Sequence, residues 1–357
     1  MFLVETDKNN VIWSNGYDVY TYYYIKIKIK LSNNVVIFSD RYKLHNIRNI
    51  KKFNINIDAK YIETACFYGF VYILEYLKNS NLFPEYNQKS LDRASDNGHI
   101  NVLEWWKNSG LPLKYSELAL VWASDNGHVA VLEWWKHSGL ELKYSEGVLN
   151  YVSMRGRINI LEWWKHSGLE LKYDENALDF ACANGHIAVL EWWKNSKLPL
   201  KYSEDAIYNA SYFGYTNILE WWQNSGLELK YSEHTLDMAL QRDDINFDVL
   251  EWWKNYGLPL KYSEDALYNS DNVTVLEWWK NSGLPLKYSK RALDIASRRG
   301  HLDVLKWWKN YGLLLNKRVT VLEWLKNSIV WITKYDLLSV CIILGSKMNI
   351  LRYIKIY

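Results

Sequence analysis

The stretch KYSELALVWASDNGHVAVLEWWKHSGLEL, residues 114–142, decides how this chain folds. Its motif Leu-Glu-Trp-Trp starts at Leu132 and starts again at Leu103, Leu161, Leu190, Leu219, Leu250, Leu276 and Leu305, with Lys306 replacing Glu in the last. Successive intervals are 29, 29, 29, 29, 31, 26 and 29 residues, and the eight Trp-Trp pairs hold 16 of the 20 tryptophans. A fixed period of this size is the signature of a stacked array, in which each unit touches mainly its neighbours.

Within the unit, Tyr115-Ser116-Glu117 opens a first helix, with Ser116 able to cap free N–H groups and Glu117 suited to the positive end of the helix dipole. Leu120 and Ala123 lie on its inward face, and Gly127 ends it. His128 follows in the turn. A second helix carries Val129, Val131, Leu132, Trp134 and Trp135 as a broad apolar stripe, with Glu133 and Lys136 forming a weak pair on the other face. Gly139 stops it, and Leu140-Glu141-Leu142 connects to the next unit. Neither helix can bury its apolar side alone, so stacking is obligatory. The fold class expected is an all-α solenoid of helix-turn-helix repeats.

Residues 177–193, Ala-Leu-Asp-Phe-Ala-Cys-Ala-Asn-Gly-His-Ile-Ala-Val-Leu-Glu-Trp-Trp, resemble the ankyrin run from Pro-Leu-His-x-Ala-Ala through Gly-His to Val-Val-x-Leu-Leu. The Gly-His turn reappears at Gly98-His99, Gly127-His128, Gly185-His186 and Gly300-His301. The unit is about four residues shorter than the roughly 33 of the ankyrin repeat, and the missing residues fall where the ankyrin β-hairpin would stand. Asp, Tyr, Asn or Val replaces the His of the Thr-Pro-Leu-His tetrapeptide. The Trp-Trp version resembles ankyrin-like families of giant DNA viruses (mimivirus type) and similar arrays of amoeboid protists. The resemblance covers about residues 58–357 and implies a protein-binding scaffold whose first helices line a concave face.

About ten units are expected over 58–357. Leu74-Glu75-Tyr76-Leu77 extends the phase backwards, and Leu322-Glu323-Trp324-Leu325 and Leu351-Arg352-Tyr353-Ile354 extend it forwards. Irregularities are expected near 243–246, 271–273 and 313–320. Residues 1–57 break the pattern. Ile25, Ile27, Ile29 and Leu31 alternate with Lys26, Lys28 and Lys30, then Ser32-Asn33-Asn34 turns into Val35-Val36-Ile37-Phe38, so a β-hairpin is expected. It is either a small β-rich cap over the first repeat or a separate recognition domain.

Hydrophobic residues make up 49% and aromatics 16% of the 357 residues, ample for a continuous core, and the formal net charge is only +3. That balance points neither to a nucleic-acid binder nor to a disordered tail. Cys66, Cys182 and Cys341 lack metal-ligand spacing and suit a reducing compartment. Met1-Phe2-Leu3-Val4-Glu5 does not open a signal peptide, and no run approaches the roughly 20 apolar residues of a membrane span. The expected location is cytoplasmic, in a host cytoplasm if the chain is viral.

No phosphate-cradling loop, His-Glu-x-x-His or Gly-x-Ser-x-Gly occurs, so no catalytic site, metal or cofactor is expected. The Gly-His histidines read as turn residues bonded to backbone, and Cys182 as a packing residue in the slot of Ser124, Ser153 and Ser211. The Trp-Trp ladder reads as core. Lys114, Lys143, Lys172, Lys201, Lys230, Lys261 and Lys287 recur before Tyr and could track phosphates; Glu follows in the same tetrapeptide in six of the seven, which opposes that reading.

Function is sought where the copies differ. On the first helix, 118, 121 and 125 share a face. Their equivalents include Asp179, Asp205, Tyr208, Tyr212, Asp237, Tyr268 and Asp294, which form the expected partner-binding patch. The expectation is a monomeric, non-enzymatic adaptor for a protein partner. The alternatives are a self-associating structural (virion) protein and a nucleic-acid binder along the lysine edge.

Overall fold

The computed structural model describes residues 45–53, 55–240, 245–257, 260–267, 272–287, 289–299 and 301–311, and the backbone of four short strands before residue 44. The units expected at Leu322 and Leu351, the irregularity at 313–320, Asp243, Asp244, Asp271 and Tyr268 lie outside these residues. The chain divides into two compact units, 1–174 and 175–357.

In the first unit, helices pair in sequence: α1 (Ile47–Phe53), α2 (Ala59–Phe67), α3 (Val71–Asn79), α4 (Lys89–Asp96), α5 (Ile100–Asn108), α6 (Leu118–Asp125), α7 (Val129–His137), α8 (Gly147–Met154) and α9 (Ile158–His166). From α2 to α9, even numbers are first helices and odd numbers second helices. The predicted Leu120 and Ala123 on α6 and Val131, Leu132, Trp134 and Trp135 on α7 are buried, Val129 is half-buried, and Ala119 and Ser124 are buried beside Leu120 and Ala123. Glu117 is the N-cap of α6 and makes no side-chain capping bond; Ser116, one residue before it, accepts the first helical N–H, that of Leu118, at 3.2 Å through its Oγ.

The two tryptophans of each pair have different jobs. The second is in the core: Trp106 and Trp135 are 0% exposed and Trp164 1%. Its indole N–H reaches back to a first helix of the preceding repeat, from Trp135 to Ser95 Oγ at 2.9 Å and from Trp164 to Ser124 Oγ at 3.0 Å. The first sits at the edge and donates to the glutamate of the preceding motif, Trp134 to Glu104 and Trp163 to Glu133. Glu133 therefore serves Trp163, with His137 beside it at 3.2 Å, and not the expected Lys136. A buried indole without an acceptor would cost about 1–3 kcal/mol, which is why Ser or Cys recurs at the contact.

At the N-terminal side, residues 24–30 pair antiparallel with 36–38, with Ile29 opposite Ile37, and 24–25 pair with 42–43. Among the described side chains, His45, Ile50 and Ile55, on and around α1, are buried next to the first repeat. Tyr72 Oη donates to the His45 carbonyl at 2.7 Å, and the His45 ring lies 4.4 Å from that of Tyr61.

The second unit continues with α10 (Asn176–Ala183), α11 (Ile187–Asn195), α12 (Asp205–Phe213), α13 (Thr216–Ser225), α14 (Glu233–Leu240), α15 (Phe247–Asn255), α16 (Val273–Ser282), α17 (Lys290–Arg299) and α18 (Leu302–Asn310). Where the interval falls to 26, the described part of the first-helix position is only a 3-10 turn, Glu264–Leu267. Leu240 occupies the slot of Ser211 and Cys182, so the buried Trp279 indole N–H has no acceptor.

Candidate partner-binding surface

The once-per-unit lysines, the Gly-His histidines and the Ser/Cys slot are all bonded between repeats. Lys114 Nζ donates to the Tyr86 carbonyl at 3.0 Å and lies 4.9 Å from the Tyr86 ring centre. Lys230 does the same on Tyr202, at 3.0 and 4.4 Å. The tyrosine hydroxyl then donates onward, Tyr202 Oη to the Glu228 carbonyl. These ammonium groups are engaged by the chain's own rings and carbonyls, which explains their once-per-unit recurrence and weakens the phosphate-tracking reading.

The Gly-His turns work likewise. His99 Nε2 lies 2.9 Å from the Phe67 carbonyl and His128 Nε2 3.0 Å from that of Asp96. Gly98 has φ +75°, and a Cβ there would stand 2.9 Å from His128 Nδ1. Glycine thus supplies both the left-handed backbone and the room for the next repeat's ring. Cys66 and Cys182 accept the indole N–H of Trp106 and Trp222 at 3.3 Å, and burial pushes both thiols up to about 12.

The first-helix face divides the predicted patch. Asp179 is 2% exposed and accepts the Ser203 N–H at 3.1 Å and the Ser203 hydroxyl at 2.6 Å. Asp237, 4% exposed, holds Ser263 in the same way, at 3.0 and 2.5 Å. Asp92 holds Ser116, and Asn150 donates to Asp174 at 2.8 Å. Asp179 and Asp237 are therefore not presented to a partner. They fasten one first helix to the turn before the next, because their carboxylates meet that turn's free N–H and hydroxyl. Burial, the largest influence, raises the Asp179 carboxyl to about 6 despite the Ser203 bonds; Asp92 and Asp237 are raised for the same reason.

Tyr208 occupies that same helical position in α12 and makes something else. Its ring lies 5.9 Å from Tyr212 at an interplanar angle of 11°, and 5.5 Å from His234 at 3°. Tyr212 meets Phe213 edge-on at 5.1 Å, and Phe213 is 46% exposed. Tyr212, Tyr208 and His234 thus form a nearly parallel column along α12 and α14. Asp205 is exposed in the first turn of α12, with its backbone N–H donated to Ser203 Oγ. Asp294 lies on α17, its side chain outside the described residues, and Tyr268 is outside them altogether.

Beside that face runs a second outward row that no expected site residue occupies. Equivalents of Trp122 are Arg93, Tyr151, Phe180, Asn209 and Met238. In the first unit Arg93 lies 4.5 Å over the Trp122 ring, and Tyr151 is 45% exposed. The available signal was that residue 122 falls outside the 119/120/123/124 stripe, so a tryptophan there faces outward.

Among the described residues, no group of three or more His, Cys, Asp or Glu could hold a metal ion. Among them also, no helix is long and apolar enough to cross a membrane. No family model matches the chain, and no curated protein matches it. The ankyrin repeat domain of human ASB11 is similar in structure at 14% identity, with 56% of this chain and 98% of that chain covered and a TM-score of 0.43.

Proposed function

We propose that the chain is a non-enzymatic, monomeric protein-interaction scaffold of the ankyrin-like type that seats a protein partner on the first helices of unit 175–357. One observation carries the reading: the ring column Tyr212–Tyr208–His234 stands where neighbouring copies bury an inter-repeat aspartate. The column joins α12 to α14 yet stays partly open to solvent, with Tyr208 and Tyr212 half-buried and His234 and Phe213 exposed. Tyrosine gives large contact area at low entropic cost, and exposed aromatic groups mark contact surfaces. Asp205 forms an acidic rim. Under this reading the strands at 24–43 add to the cap, and the giant-virus resemblance makes the molecule an adaptor in a host cytoplasm.

The test is quantitative capture of interacting proteins by the full chain and by a Tyr208→Ala/Tyr212→Ala/His234→Ala variant. The proposal expects at least one partner to lose about tenfold or more in affinity. It fails if the captured set and affinities are unchanged while the helical spectrum and monomeric sedimentation are preserved.

A further inference from the structure

On the second-helix side of unit 175–357, α13 and α15 bound a groove of about 600 Å³ whose lining includes Glu220, Gln223, Asp248, Glu251, Trp252 and Tyr256. Gln223 is peculiar to this junction, since the other seven Trp-Trp motifs continue with Lys. At the preceding junction that lysine, Lys194, places its ammonium 5.9 Å from the centre of the Trp221 ring. Trp252 is the counterpart of Trp221, and an uncharged amide stands where its cation would come from.

The substitution also changes the bonding. Trp221 donates to Glu191 and Trp278 to Glu251, each at 2.6 Å, so the glutamate of the preceding motif is the usual acceptor. Trp252 instead donates to Gln223 Oε1 at 3.1 Å, across the junction lengthened by two residues. Glu220 is released from that duty and is exposed at the groove, as is Asp248. Tyr256 replaces the serine that usually follows Lys-Asn or Lys-His, and stacks on Trp252 at 4.7 Å and 18°. The groove therefore combines a widened aromatic wall with Glu220, Asp248 and Glu251. Lys254 sits 3.6 Å from Glu251, which already accepts from Trp278.

We propose that this groove binds a guanidinium group, presented as an arginine side chain. The indole and phenol faces attract a planar cation, and Glu220 and Asp248 accept its N–H groups. The preceding junction shows a cation over the equivalent ring, and Gln223 leaves that place to an external one. The site is on the opposite side from the aromatic column and stands whether or not a partner uses the first helices.

The experiment titrates the full chain, labelled with nitrogen-15 at tryptophan, with acetyl-Gly-Arg-Gly-amide, with methylguanidinium and with the citrulline analogue of the peptide. The Trp252 indole cross-peak, assigned with Trp252→Phe, should shift saturably with the arginine peptide and not with citrulline. Gln223→Lys, which restores the residue of the other copies, and Glu220→Gln/Asp248→Asn should each weaken binding about tenfold or more, the remaining indole peaks reporting an intact fold. Methylguanidinium binding as well as the peptide means the site reads the cation alone; a tighter peptide means the flanking chain contributes. Both support the proposal. It is overturned by no saturable shift at tens of millimolar ligand, by equal binding of citrulline, or by unchanged binding in both variants.

Discussion

Replacing Asp179 by asparagine should change how the protein's stability responds to pH, and in an unusual direction. The Asp179 carboxyl is raised from 3.8 to about 6, with burial the dominant cause. The folded state therefore holds this proton more tightly than the unfolded chain does. Its contribution is fully present below pH 3.8 and is lost as pH rises through about 6. A gap of about two pH units corresponds to about 3 kcal/mol. The Asp179→Asn side chain would keep an acceptor for the Ser203 N–H and offer an N–H to the Ser203 hydroxyl, much as Asn150 donates to Asp174. It cannot ionise, so it lacks that dependence. Urea unfolding of both proteins from pH 4 to 7, followed by far-ultraviolet circular dichroism, measures the difference and cancels the similar behaviour of Asp92 and Asp237. The variant should gain on the wild type as pH rises, by up to about 3 kcal/mol. A wild type that gains on the variant over that range would refute the reasoning, since a carboxylate favoured in its ionised form behaves that way.

Three further outcomes are expected. Ser124→Ala should destabilise by about 1–3 kcal/mol in denaturant melts, because the buried Trp164 indole N–H loses its acceptor. Adding Trp164→Phe should make the Ser124 change nearly neutral. Gly98→Ala should cost clearly more than Gly110→Ala in the same melts: both have positive φ, worth about 1–2 kcal/mol with a Cβ, but only Gly98 faces His128. Cys66 and Cys182 should react with a thiol reagent at neutral pH only on the timescale of unfolding, because both are buried with thiols at about 12; labelling of the native chain at either, read by peptide mass, would contradict the described packing.

The aromatic patch was partly legible in the sequence, and its errors have a physical origin. Helical spacing places 179, 208 and 237 on one face, and they read as variable. Spacing says nothing about what that face meets, which is the turn before the next helix. A covariation was nonetheless present: Ser203 and Ser263 follow Asp179 and Asp237, while Asp174 follows Asn150. Exchanging donor and acceptor across one bond produces that pattern, and Val121 and Tyr208 are the described copies that leave it. His234 gains its place only because its ring lies parallel to that of Tyr208.

By itself, the sequence determined the period, the helix pair and the inward stripe, because these follow from local periodicity and from where glycine can turn the chain. The tertiary structure alone decided which tryptophan of each pair is core and which is an edge donor. It also decided that the lysines lie on tyrosine rings and that two of the predicted contact aspartates are internal fasteners. Those outcomes depend on groups 24 to 40 residues apart meeting across a repeat boundary, where burial and hydrogen bonding assign the role of a residue whose type and spacing leave it open.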